Sequence, residues 1–226
     1  MKFTALIFDF DGLILDTETP EVVVWQKIYG EHGLEFPLDR WGQIIGGDGA
    51  SDFDAASHLA GLRPGDVEPG VLRQRHRALS DALTLTQPML DGVTGLLDQA
   101  ERLGLKLAIA SSSAHHWVDT HLKRLQLFDR FEAIVCSDDV PPGRTKPHPD
   151  LFLRALERLQ VKPEAAVALE DSPNGVRAAR AAGILTVAVP NPVTAKLAFE
   201  GQSLMLGSLR ELRLEDLRRV PDTAAG

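Results

Sequence analysis

The 226 residues contain one cysteine, Cys136, so no internal disulfide framework can form. The fold has to be held by packing, and the lone thiol suits a reducing cytoplasm. Its neighbours Ile134 and Val135 mark Cys136 as a buried structural thiol with no redox role. Also missing is any apolar stretch near the roughly 20 residues a membrane span requires. No basic, apolar, small-residue leader is seen, because Met1-Lys2 runs directly into strand-like sequence. A soluble, cytoplasmic protein is expected. Positive charge is scarce, with 24 Lys and Arg against 32 Asp and Glu and a formal net charge of −8. That balance repels nucleic-acid backbones and anionic membranes. A bound phosphate would need a metal, a local lysine and backbone dipoles, and the expected partners are small molecules met by a monomer. There is no internal repeat and no low-complexity tract.

At 44% hydrophobic, the chain can bury one substantial core and a smaller appendage. Its focus is Leu6-Ile-Phe-Asp-Phe-Asp-Gly-Leu-Ile-Leu-Asp-Thr-Glu18. Thr4 to Phe8 reads as a strand buried on both faces, ending at Asp9. A carboxylate there sits at the carboxyl edge of a parallel sheet, where such sheets bind ligands, and Gly12 allows a sharp turn beside it. Asp9 and Asp11 would share that mouth if the strand unwinds at Phe10. A polar turn after a strand would explain the pair alone equally well.

From Glu18 to Ala82 helical spacing replaces strands, with helices expected near Pro20–Glu31, Leu38–Ile44, Ser51–Leu59 and Val71–Ala82. Thr19 is read as the cap of the first of these and Gly33 as its stop. Gly46 to Gly49 and Pro64 to Asp66 are read as turns. From Pro88 strands and helices alternate. Strands are expected at Leu107–Ala110, Ala133–Cys136, Ala166–Leu169, Leu185–Val189 and Leu204–Leu206, with a short helix after Pro192. The tail past Leu217 is expected to fray. The result is a doubly wound, mainly parallel α/β core, residues 1–17 and 87–226, carrying an inserted all-helical cap, residues 18–86.

Three strand ends bear chemistry. Ser111-Ser-Ser113 offers hydroxyls and free N–H groups to a phosphate oxygen. Lys146, between Pro-rich turns in Gly143-Arg-Thr-Lys-Pro-His-Pro-Asp150, is a candidate fixed cation. Glu170-Asp171 are adjacent carboxylates that repel unless a cation neutralises them; a hard, oxygen-ligated ion such as Mg²⁺ suits a site that also holds phosphate. A helix-capping acid is the alternative for Asp171. The histidines His115, His116 and His121 lack metal-ligand spacing and are read as solvated helix positions.

Together these stretches resemble the four signatures of the haloacid dehalogenase-like phosphatases, in the branch that contains β-phosphoglucomutase. The resemblance spans nearly the whole chain and is most specific in Asp9 to Glu18 and Glu170 to Gly183. It implies that Asp9 is a nucleophile forming an aspartyl phosphate and that Asp11 is the general acid and base. It gives phosphate contacts to the Phe10 and Asp11 backbone region, Ser111, Ser112 and Lys146. The metal set it implies is Asp9, Asp11 and Asp171, with Glu170 a ligand or a partner of one. Thr17, Glu18, Glu21 and Arg40 are candidates for substrate specificity, and Trp25, Trp41 and Arg73 are further cap residues that could line the pocket.

The expected function is Mg²⁺-dependent hydrolysis of a small phosphomonoester, by resemblance a sugar phosphate. A phosphosugar mutase would share these motifs, but such caps carry a histidine and an arginine where Glu21 and the Gly46 to Ser51 stretch stand. A dehalogenase has no need of Asp11. A non-catalytic binding protein would not need all four sets of reactive side chains.

Overall fold

The structure, a computed structural model, describes residues 3–42, 44–45, 53–215 and 217. Six strands form one sheet, β1 (Ala5–Phe8), β2 (Lys106–Ala110), β3 (Ala133–Val135), β4 (Ala166–Glu170), β5 (Leu185–Ala188) and β6 (Leu204–Met205). Their order is β3-β2-β1-β4-β5-β6 and every pairing is parallel. β1 is central, paired with β2 through Phe8↔Ile109 and with β4 through Phe8↔Leu169. The order reverses beside β1, so the residues after β1, β2 and β4 converge on one crevice.

Alternation along β1 shows why the apolar run is continuous. Leu6 and Phe8 join the core on one face, with α5 (Val93–Arg102) and α6 (His115–Arg124). Ala5 and Ile7 join the core on the other, with α7 (Asp150–Leu159) and α8 (Pro173–Ala181). Both faces are covered, so both sets of positions are apolar. Cys136 lies inside the first core and burial pushes its thiol far up, as a structural thiol requires.

Between β1 and α5 run α1 (Glu18–Glu31), α2 (Leu38–Gly42), α3 (Ala55–Leu62) and α4 (Pro69–Thr84). These helices share a third apolar cluster, built on Trp25, Ile28, Tyr29, Phe36, Leu59 and Leu72. The segment touches the sheet layers where Asn174 Nδ2 donates to Ile45 O at 2.8 Å.

Some local expectations change. Thr19 does not cap α1; its N–H donates to Asp16 Oδ1 at 2.9 Å, and the helix already begins at Glu18. α3 starts at Ala55, where Asp54 caps the Ser57 N–H. Between β5 and β6 the expected short helix after Pro192 is a single 3-10 turn, Thr194–Lys196. His121 is buried against Phe10 and Trp117 rather than solvated. His115 is fixed between Asp119 and Asp139. The Gly46 to Gly49 turn, the start of the Ser51–Leu59 helix and the tail past Leu217 lie outside the described residues.

Candidate active site

Asp9 follows β1 directly, and its N–H still donates to Leu169 O at 2.9 Å, which pins the residue to the sheet edge. Its Oδ1 accepts from Lys146 Nζ at 2.6 Å. The same Nζ lies 2.7 Å from Glu170 Oε1, at the end of β4. Lys146, Asp9 and Glu170 are all buried. Burial opposes the lysine's charge, but the two carboxylates outweigh it and hold the ammonium above the usual lysine range.

One ammonium does not balance the carboxylates around it. Oxygens of Asp9, Glu170 and Asp171 lie within 4.8 Å of one another. Burial raises Asp9, with Lys146 pulling against it and Asp11 adding to it. Burial and then Asp9 push Glu170 up to about 8, with Lys146 opposing. Burial, Asp9, Glu170 and Glu18 raise Asp171 well above the ordinary carboxylate range. Three buried carboxylates with one cation form a hard-oxygen site with a deficit of positive charge. That donor set fits Mg²⁺.

Close packing makes the cluster possible. Gly12 has φ +77°, and a Cβ there would lie 2.2 Å from Asp171 Oδ2. A Cβ on Gly175 would lie 1.8 Å from Glu170 Oε2. These two glycines let backbone pass against the carboxylates. Thus Gly12 serves approach as well as turning.

The Asp11 side chain stands outside the acidic cluster. Its Oδ1 accepts from Trp117 Nε1 at 2.8 Å, and its Oδ2 from Ser113 Oγ at 2.7 Å and Ser111 Oγ at 3.1 Å. Ser111 is therefore turned to Asp11 in this arrangement. Ser112 Oγ is buried with no hydrogen-bond partner among the described residues, and the residue lines the open space. The Phe10 ring is buried in the core, which leaves its main chain, already bonded to Asp9, to face the site.

A cavity of about 700 Å³ opens from Asp9, Asp11, Ser112, Lys146 and Asp171 to the helical segment. Thr17, Glu18, Glu21, Trp25, Trp41 and Arg73 line it. Arg40 does not; its guanidinium lies 4.4 Å from the Phe53 ring centroid, and Phe53 is the lining residue. Its expected place in the pocket is thus taken by the ring it covers. Arg73 is engaged by Asp54 Oδ2 at 2.8 Å and Ser57 Oγ at 3.1 Å.

The chain that builds this sheet, with a carboxylate at the tip of β1 and a buried lysine against it, carries the sequence pattern of one enzyme family. That pattern, described as haloacid dehalogenase-like hydrolase, matches residues 6–189. The chain belongs to this family. YhcW of Bacillus subtilis (strain 168) is 44% identical over 93% of this chain and 94% of its own. Fructose-1-phosphate phosphatase YqaB of Escherichia coli (strain K12) is 32% identical, covering 83% of this chain and 97% of its own. Among solved structures, a family hydrolase of Deinococcus radiodurans R1 with bound phosphate and sodium superposes with a TM-score of 0.75. It is 27% identical, with 96% of each chain covered. The chain is thus an enzyme, a phosphatase of the haloacid dehalogenase-like kind.

Three residues of this hydrolase's site carried no assignment from sequence. Asn191 Nδ2 donates to Asp171 Oδ2 at 2.7 Å and to Gly12 O at 3.3 Å, while its Oδ1 accepts from the Val193 and Thr194 N–H groups. Its signal was available: an asparagine between prolines after a strand, the same logic that marks Lys146. Ser113 lies within the serine run already singled out. Trp117 had no signal, because which helix position faces Asp11 depends on how α6 docks.

Proposed function

We propose that this hydrolase removes the phosphoryl group from small phosphomonoesters of sugars or polyols, with Mg²⁺ and through a phosphorylated Asp9. The observation that carries the reading is the pairing of buried Asp9 with Lys146 Nζ at 2.6 Å, beside a second carboxylate, Asp11, held by three donors at the same cavity mouth. Asp9 Oδ attacks phosphorus as the bond to the leaving oxygen breaks, and Asp11 gives that oxygen its proton. Asp11 then takes a proton from water, which attacks the acyl phosphate, releases inorganic phosphate and restores Asp9. Lys146, the Ser112 hydroxyl and backbone N–H groups stabilise the phosphoryl oxygens. Asp9 and Asp171, with Glu170 alongside, would hold Mg²⁺, which when bound would supply positive charge at those same oxygens. Residues 18–86 act as a cap that closes water out of the cavity, and Thr17, Glu18 and Glu21 meet the leaving group.

Water, rather than a second sugar hydroxyl, is the acceptor in this reading. A mutase must hold a second phosphate on cap cations, and Arg73 is engaged by Asp54. The test is phosphate release from a panel of sugar and polyol monophosphates with and without Mg²⁺. Release confined to Mg²⁺-containing reactions supports the reading. Conversion of β-glucose 1-phosphate to glucose 6-phosphate, primed by the 1,6-bisphosphate and with little free phosphate, would replace it with a mutase.

A further inference from the structure

We propose that Glu21, with Glu18 beside it, makes the cavity accept a neutral, hydroxyl-bearing leaving group and reject one that carries a second anionic group. The inference rests on the phosphatase reading of the same cavity.

Glu18 and Glu21 are one turn apart on α1, and both face the cavity. Among the described residues neither carboxylate makes a hydrogen bond or an ion pair, while Asp54 and Asp81 on the same wall are taken up by Arg73 and Arg77. The guanidinium groups lining that side are already matched. Arg73 is bonded by Asp54, and Arg77 lies 3.8 Å from Asp81 with its side chain 73% exposed. The neighbouring histidine, His76, is buried, stacked on Trp25 and bonded to the Glu21 carbonyl oxygen, and burial lowers its pKa, which disfavours a positive charge there. His116 lines the cavity from the opposite, sheet-side wall.

A second phosphate entering here would meet unpaired carboxylates between walls that screen charge poorly. Hydroxyls fit the same groups. They donate to Glu18 and Glu21 and accept from the Trp25 indole N–H, which is buried and has no partner among the described residues. Thr17 Oγ1, in a residue only 6% exposed, is likewise unpartnered among the described residues and can give or take a hydrogen bond. Trp25 is fixed for this role by its stack on His76, with centroids 4.1 Å apart and planes at 13°. Desolvation by the walls, then Asp11 and Asp81, raise Glu21 to about 7 against the pull of Arg77, and desolvation, then Glu21 and Asp11, raise Glu18. The repulsion is therefore fullest well above pH 7, where Glu21 is ionised, and the test is read there.

The test is competitive inhibition of p-nitrophenyl phosphate hydrolysis by matched pairs: fructose 1-phosphate with its 1,6-bisphosphate, and glucose 6-phosphate with its 1,6-bisphosphate. In the wild-type chain each monophosphate is expected to bind at least about ten-fold more tightly than its bisphosphate. Glu21→Gln should narrow that ratio several-fold by improving the bisphosphate, and Glu18→Gln carries the same test should the first variant not fold. Bisphosphates bound as tightly as monophosphates by the wild type would overturn the proposal, as would an unchanged ratio in a folded variant. A wild type that fails to hydrolyse p-nitrophenyl phosphate with Mg²⁺ would overturn the phosphatase reading instead. The same ratios would then be read by calorimetric binding, with the same outcomes deciding.

Discussion

Asn191 reaches from the loop after β5 to donate to Asp171 Oδ2 at 2.7 Å, beside the same carboxylate's closest approach to Gly12. Asn191→Asp keeps the shape and the acceptor for the Val193 and Thr194 N–H groups but turns the donor into a second carboxylate. The metal-free variant should lose about 1–3 kcal/mol of stability, the cost of an unmet buried polar group. Mg²⁺ should restore more of its melting temperature than it adds to the wild type. Thermal melts in chelator and in Mg²⁺ check this; equal melting temperatures in chelator would contradict it.

Gly175→Ala sets two effects against each other. Alanine improves helix propensity by up to about 1 kcal/mol. The new Cβ would meet Glu170 Oε2 at 1.8 Å and push that carboxylate away from Lys146. Losing that buried hydrogen bond to an ammonium costs about 1.5–3 kcal/mol, so the variant should be less stable despite its better helix former. A chemical denaturation midpoint above that of wild type would show that Glu170 can move freely.

The metal-free protein should grow less stable as pH rises. Glu170 ionises near its ordinary value in the unfolded chain but only at about 8 when folded. Between about pH 4.5 and 8 the native state therefore holds the extra proton, and stability falls by up to about 1.4 kcal/mol per pH unit from this group. Asp171 and Glu18, also raised, act with the same sign. His76 and His121, both lowered by burial, act oppositely, and only around and below their ordinary titration range near 6.5. Denaturant titrations in chelator should show the fall and those in Mg²⁺ should flatten it. A metal-free stability that rises from pH 6.5 to 8 would contradict the balance of charge drawn here.

Asp11→Asn separates protonation from attack. With a sugar or polyol phosphate, whose alkoxide leaves poorly, the rate should fall by about 10²–10⁴. With p-nitrophenyl phosphate, which needs little protonation, the loss should be far smaller. Equal losses on both would remove Asp11 from the acid role.

The sheet was legible because its signal is local. Each strand is a short apolar run, those of β1, β2 and β4 ending in a polar group, and all six strands lie within a residue or two of the runs that announce them. Asp9, Lys146 and Asp171 were legible for the same reason: each sits at a strand end or in a proline-stiffened loop. Helix starts were less so, since Thr19 has the composition of a cap but Asp16 makes the bond. What stayed hidden depends on docking between distant segments. Trp117 reaches Asp11 across 106 positions and Asn191 reaches Asp171 across 20, and no spacing rule links either pair. Arg40 shows the converse, a cation in a plausible place that the Phe53 ring draws out of the cavity.

The account turns on Asp9 becoming covalently phosphorylated. Acid quenching during turnover of a phosphomonoester with Mg²⁺, followed by peptide mass spectrometry, should find one phosphoryl group on the peptide containing Asp9. The Asp9→Asn protein, folded to the same melting profile, should show neither that adduct nor turnover. A phosphoryl group on another residue, or Asp9→Asn turnover within a few-fold of wild type, would contradict it.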